Sequence, residues 1–234
     1  MKSWQVDAGG RALGREKLGR KDEIRRRIRL KVVMSTIPPG APLDEEALAD
    51  EFGVSRTPIR EICAHLVAEG TAEYHRGRGA CVPDITAAGI EAFFEAATGI
   101  FPATFRQTAL RADPYDLSLL RRLLEAAEAV ADLDTPDLYV RRYLDFMEHC
   151  AETSRNPYLA RTAKQMIREH TRICIAIAQI DRRNARPIYD PRRDIDDCRV
   201  VLRQLERRDA DALLSHLGQR LAESEREIGA ALIA

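Results

Sequence analysis

The sequence predicts a mainly α-helical protein in two parts, an N-terminal winged helix-turn-helix followed by a C-terminal all-helical bundle. Three observations carry that prediction. Apolar residues recur at three- and four-residue spacing along most of the chain, which marks helices with one buried face. Two short helical stretches meet at Gly53, a spacing that leaves room only for a tight turn. The one stretch that reads as strand, AEYHRGRGACV at 72–82, is too short and too rich in glycine for a helix, and fits a small β-hairpin.

The elements follow in order. Residues 1–19 are rich in Gly, Lys and Arg without periodicity and read as a flexible basic arm. KDEIRRRIRLKVVMS places Ile24, Ile28, Leu30, Val32 and Val33 at mostly helical spacing and stops at TIPPG, where two prolines and a glycine force a turn. APLDEEALADEF is a second helix, with Asp44 as N-cap, acidic residues in the first turn and Leu48 and Phe52 on its apolar stripe; Gly53 ends it. A third helix opens at SRTP, with Thr57 expected to cap and Pro58 to take the first helical position. Its face of Ile59, Ile62, Cys63, Leu66 and Val67 runs to Gly70. After PDIT, helices are expected over roughly 86–111, 114–131, 135–154, 157–181, 193–207 and 209–231. The domain limits expected are 20–83 for the winged unit and 84–234 for the bundle, which about 150 residues suffice to give a core.

Composition narrows the function. The chain has 234 residues, 45% hydrophobic and 32% charged, with zero net charge. No apolar run of about 18 residues occurs, so a membrane span is not expected. Five widely spaced cysteines, with no CxxC pair, suit a reducing, cytoplasmic setting. The neutral total hides an asymmetry: Met1 to Met34 holds 11 basic and 4 acidic residues, which suits a polyanionic partner at that end. No P-loop, GxGxxG or Ser/His/Asp grouping is present, and five scattered histidines do not suggest an enzyme.

In a winged helix-turn-helix the second helix of the pair enters the major groove with its N-terminus first. Ser55 and Thr57 could bond phosphates there, together with free N–H groups of the first turn. Arg56 and Arg60 lie one turn apart, away from the Ile59/Cys63 face, and each guanidinium can fork to guanine O6 and N7 or to a phosphate. Arg76, Gly77, Arg78 and Gly79 suit a wing tip, where glycines allow close approach and arginines suit the minor groove or backbone.

The stretch IPPGAPLDEEALADEFGVSRTPIREICAHLVAEG, with RGRGACV after it, resembles the DNA-binding domain of the GntR family of bacterial transcription regulators. That resemblance implies DNA contacts by Arg56, Thr57, Arg60 and the wing around Arg76 and Gly77. Glu46 stands where some members carry a third DNA-binding arginine, and a carboxylate cannot hold a phosphate. The helical half resembles the FCD domain of the FadR-like branch, on DFMEH, NPYL and LERRDADALLSHL. The resemblance implies a homodimer on a pseudo-palindromic operator of double-stranded DNA, a small-molecule effector, repression, and a hinge near VPDIT.

Family members often bind a divalent metal such as zinc. Asp145 and His149 are four apart on one helical face, a ligand spacing, and by the resemblance two further ligands would fall at Cys198 and Arg220. Cys198 could ligate as a thiolate; Arg220 cannot ligate. The expectation is therefore an incomplete site, in which Arg220 replaces the metal's charge and pairs with Asp145. His216 and His170 are substitutes only if helices shift. The effector pocket is expected to use Arg220, His216, His170 and Arg172, with Arg106 and Arg168 as further anion anchors. Ala97 and Phe101 occupy the positions of the family's usual arginine motif, and Phe93, Phe94, Phe101 and Phe105 make that helix aromatic, which suits a core or a more apolar effector. The competing expectation is a DNA-binding dimer whose helical half only oligomerises and senses nothing.

Overall fold

The structure is a computed structural model, and it describes residues 13–180 and 190–233. The chain divides into two compact units, residues 1–83 and 84–234 apart from a short exchange at 33–35.

The first unit comprises α1 (Leu13–Val33), α2 (Glu45–Phe52), α3 (Arg56–Ala68), β1 (Glu73–His75) and β2 (Gly79–Cys81). Helix α1 starts earlier than its periodicity suggested, so 13–19 are helical rather than part of an arm, and 1–12 lie outside the described residues. Its Ile24, Ile28 and Val32, spaced by four, pack on Leu48 and Ala49 of α2 and on Ile59, Ile62, Cys63 and Leu66 of α3. Burying each such aliphatic side chain is worth roughly 1.5–3 kcal/mol, enough to hold the short α2 and α3, which would not persist alone, against α1. The Arg29 guanidinium grips both oxygens of Glu69 at 2.8 Å and ties α1 to the end of α3.

Helix α2 begins at Asp44, whose carboxylate accepts from the N–H groups of Glu46 and Ala47. It ends at Gly53, which adopts φ +59° and donates its N–H to Ala49 and Asp50 carbonyls. A side chain at that left-handed position would be strained, which is why a glycine makes the tight turn into α3. Strands β1 and β2 pair antiparallel, Tyr74 opposite Ala80, and an isolated bridge from Pro42 to Cys81 adds a third, short rung to the wing.

The second unit holds α4 (Ala87–Arg111), α5 (Pro114–Ala131), α6 (Pro136–Thr153), α7 (Pro157–Ile180), α8 (Pro191–Arg207) and α9 (Ala210–Ile233). Side-chain caps by Thr86, Asp113 and Asp190 open α4, α5 and α8. Asp190 with Pro191 starts α8 two residues before the expected 193. Helix α4 packs against α7 and α9, α5 against α6 and α8, and α6 against α7. Phe93, Phe94 and Ala97 of α4 form the centre of one core cluster with Ile173, Cys174 and Ile177 of α7. Thr108 of α4 donates to the Cys150 carbonyl of α6 at 2.8 Å, satisfying a buried hydroxyl between helices.

Candidate functional site

The first-turn end of α3 is built as follows. Ser55, not Thr57, is the N-cap residue, so Arg56 is the first helical residue, Thr57 the second and Pro58 the third. Pro58 still costs nothing, because its missing N–H falls among the groups that have no partner in any helix. Ser55 makes no capping bond, which leaves its hydroxyl free to take a proton acceptor or donor from outside. Ser55, Arg56, Thr57 and Arg60 are all exposed, while Ile59, Ile62 and Cys63 on the other side are buried. The helix thus rests on its apolar face and points its hydroxyls and arginines outward.

Both arginines have partners within the unit. Arg60 Nε donates to Glu45 Oε2 at 3.2 Å, and Arg56 lies 3.9 Å from the same oxygen and 3.7 Å from Glu46. Glu46 therefore faces Arg56, and Glu45 bridges the two arginines. The ion pairs are exposed and long, so each contributes little stability and exchanges readily for a phosphate or a base edge. At the wing, Gly77 and Gly79 have φ +84° and +77°, the left-handed conformation this two-strand turn needs. Arg76 is exposed at the tip. Arg78 instead donates to the Gly40 carbonyl at 2.5 Å, which ties the wing to the PPG turn.

Within the second unit, α4, α6, α7, α8 and α9 surround a cavity of about 110 Å³. Its apolar wall includes Phe101 and Phe105 of α4, Met147 of α6 and Leu221 of α9. Its polar groups are Arg193, Asp194 and Asp197 of α8, His216 and Arg220 of α9, and His170 of α7. From α6 the residues that reach it are Tyr143 and Met147. Asp145 and His149 do share a helical face, but two residues along a helix is a rotation of about 200°, so that face turns away from the cavity. Asp145 is exposed, 3.8 Å from Arg142. His149 lies 3.8 Å from Glu152, whose carboxyl is held at about 2 by His149 and Lys164.

The expected pairing of Arg220 with Asp145 is therefore corrected. Arg220 Nε donates to Asp197 at 2.6 Å, and a second nitrogen binds Glu223. Cys198 does line the cavity, but burial pushes its thiol well above the usual range, aided by Asp194 and Cys150. Of the residues expected as ligands, Cys198 alone lines the cavity, because Asp145 and His149 lie on the far face of α6. Among the described residues no group of three or more His, Cys, Asp or Glu is placed to hold a metal ion.

Of the expected effector residues, Arg220, His216 and His170 line the cavity and Arg172 does not. Arg172 is buried on α7, where it grips Glu169 at 2.9 and 2.7 Å. Arg168 is held by Glu148 and Arg106 by Asp211, and neither lines the cavity. His170 is stacked on Phe93 and bonded to the Ser224 hydroxyl at 2.8 Å, and burial, with Arg220 and Arg193 nearby, lowers it to about 4. It is neutral at physiological pH. Sequence reasoning missed Tyr143, Met147, Arg193, Asp194 and Asp197. The signal was present: Tyr139, Tyr143, Met147 and Cys150 are spaced by four, four and three along α6. On α8, Asp194 and Asp197 interrupt an otherwise apolar stripe through Cys198, Val201 and Leu205.

Two family models match the chain. The one described as bacterial regulatory proteins, gntR family, matches residues 20–82, and the FCD domain matches 93–222. An uncharacterized HTH-type transcriptional regulator of Bacillus subtilis, YdhC, is 28% identical over 125 residues, 53% of this chain and 56% of that protein. The HTH-type transcriptional regulator Mce2R of Mycobacterium tuberculosis is 28% identical over 153 residues, 57% of this chain and 62% of that one. The matched stretch thus spans less than two thirds of these relatives' own length. Solved structures share the fold at low identity. Escherichia coli McbR/YncC superposes with a TM-score of 0.71 at 16% identity, covering 89% of this chain and 96% of that one. A putative GntR regulator from Rhodococcus sp. RHA1 gives 0.66 at 19%, covering 91% and 99%. The two matches fall on the winged unit and on the helical bundle: the chain belongs to the gntR family of bacterial regulatory proteins, in the branch that carries an FCD domain.

Proposed function

We propose that the protein is a ligand-responsive transcriptional repressor that binds a pseudo-palindromic operator as a homodimer. One observation carries the reading: the first turn of α3 presents Ser55, Arg56, Thr57 and Arg60 to solvent on a helix whose other face is anchored in an apolar core. A groove-reading helix needs that division. Ser55 and Thr57, with the N–H groups of Arg56 and Thr57, take phosphate oxygens; Arg60 and Arg56 read base edges or adjacent phosphates; Arg76 at the wing reaches the minor groove or backbone. Two-fold symmetry in the protein matches two-fold symmetry in the operator. The cavity in the bundle is the effector site, and its occupant releases the operator by binding the unbound form more tightly than the bound one. Its contents favour this over a helical half that only oligomerises, because a bundle built solely to dimerise has no use for two carboxylates beside an apolar hollow.

The test is a footprint of the purified protein on DNA upstream of its own gene and the flanking genes, paired with a reporter from the same promoter. A symmetric protected site, and higher reporter output when the gene is deleted, are expected. Protection without any symmetry, or lower output on deletion, contradicts the reading.

A further inference from the structure

We propose that the cavity recognises an organic ammonium ion: an apolar body carrying a protonated amine, seated on the Asp194 carboxylate between the rings of Phe101, Phe105 and Tyr143. The inference deepens the effector reading above and rests on it.

The cavity's charges decide the ligand class. Arg193 holds both oxygens of Glu227, at 2.8 and 3.1 Å. Arg220 is taken by Asp197 and Glu223, and Asp197 also has the His216 ring 3.2 Å away. Both guanidinium groups already face acids, so a carboxylate ligand would have to compete with them. Asp194 differs. Its side chain has one hydrogen bond among the described residues, a long 3.4 Å contact from the Tyr139 hydroxyl. Of the two cavity aspartates it has the fewer direct side-chain partners, and a cation is a partner that adds to them. Phe101, Phe105 and Tyr143 line the same cavity, and an aromatic face attracts an ammonium more than an anion.

Protonation sharpens the case. Burial, with the like charge of Asp197, raises Asp194 to about 7, against the opposing pull of Arg193, Arg220 and the Tyr139 hydroxyl. The other titratable groups of the cavity are the buried thiols Cys174 of α7 and Cys198 of α8, His170 of α7, which is neutral, Tyr143 of α6, and His216 of α9 beside Asp197. An ammonium therefore has to bind the ionised form, and the proton of Asp194 leaves to solvent. Affinity rises with pH through 7, by about tenfold from pH 6 to pH 8, for an amine that stays protonated over that range.

Calorimetric and thermal-shift titration of the full chain tests this, using primary alkyl- and arylalkylammonium ions from propyl- to phenylethylammonium, each beside the carboxylate of the same size. The expected result is that an ammonium binds, raises the melting temperature and binds about tenfold more tightly at pH 8 than at pH 6. Asp194→Asn is expected to remove that binding and its pH dependence. Binding of a carboxylate instead overturns the ligand class and leaves the cavity as an effector site. Binding of neither series overturns both. An ammonium that binds Asp194→Asn unchanged overturns the assignment to Asp194, whatever that variant's stability, because the unmodified chain reports on the ligand class by itself.

Discussion

The mouth of α3 and the cavity of the bundle both set carboxylates against arginines, yet the two arrangements do opposite things. At α3 the pairs are exposed and long, 3.2 to 3.9 Å, and none needs to persist for the unit to fold. Water already solvates those charges, so exchanging Glu45 for a phosphate costs little. In the cavity, desolvation makes each charge expensive, so Arg193 and Arg220 are each bound by acids, and Asp194 relieves its position by holding its proton to about pH 7. Exposed charge is available for a large polyanion; buried charge selects a small partner one group at a time.

The comparison makes its largest prediction at α3. Arg60→Ala is expected to lower operator affinity by about 1–3 kcal/mol with relaxed preference at one base position, measured by anisotropy on singly substituted operators. An equal loss on every sequence would make Arg60 a phosphate contact. The next concerns stability. Because Asp194 titrates higher folded than unfolded, its contribution is fully present below about pH 4 and is lost as pH rises through 7. Asp194→Asn is therefore expected to raise the melting temperature at pH 8, by an amount equivalent to about 2 kcal/mol, and to leave it nearly unchanged at pH 4; denaturant titrations at the two pH values check the sign. A smaller effect is expected from Glu45→Gln. Freeing both arginines from one carboxylate raises affinity for any duplex by less than about 1 kcal/mol and narrows the ratio of specific to non-specific binding. The smallest is Arg76→Ala at the wing, a few-fold loss on all sequences with the salt slope reduced by about one.

Much of this was legible in the sequence, for physical reasons that also explain what was not. Helix spans from α4 to α7 and the turn at Gly53 follow from hydrophobic period and from glycine and proline chemistry, which act locally. The exposed arginines of α3 were legible because the apolar residues alone fix which side of that helix faces inward. Boundaries were less so. Ser55 rather than Thr57 stands at the cap, since either hydroxyl satisfies the local pattern and only the packed turn selects one. The cavity was the least legible. Asp145 and His149 have a ligand-like spacing, but which face of α6 meets the other helices is a tertiary fact, and it turned Tyr143 and Met147 inward instead. Arg172 resembles an anion anchor on paper, and its neighbour Glu169 one turn earlier already occupies it.

The most direct measurement is the affinity of the full chain for its footprinted operator, compared at fixed salt with the Arg56→Ala, Arg60→Ala double variant. Both side chains are exposed and outside the core, so the variant is expected to keep its fold, which a circular dichroism spectrum checks. A drop of about a hundredfold or more is the predicted result. Equal affinity for the two proteins would contradict the account.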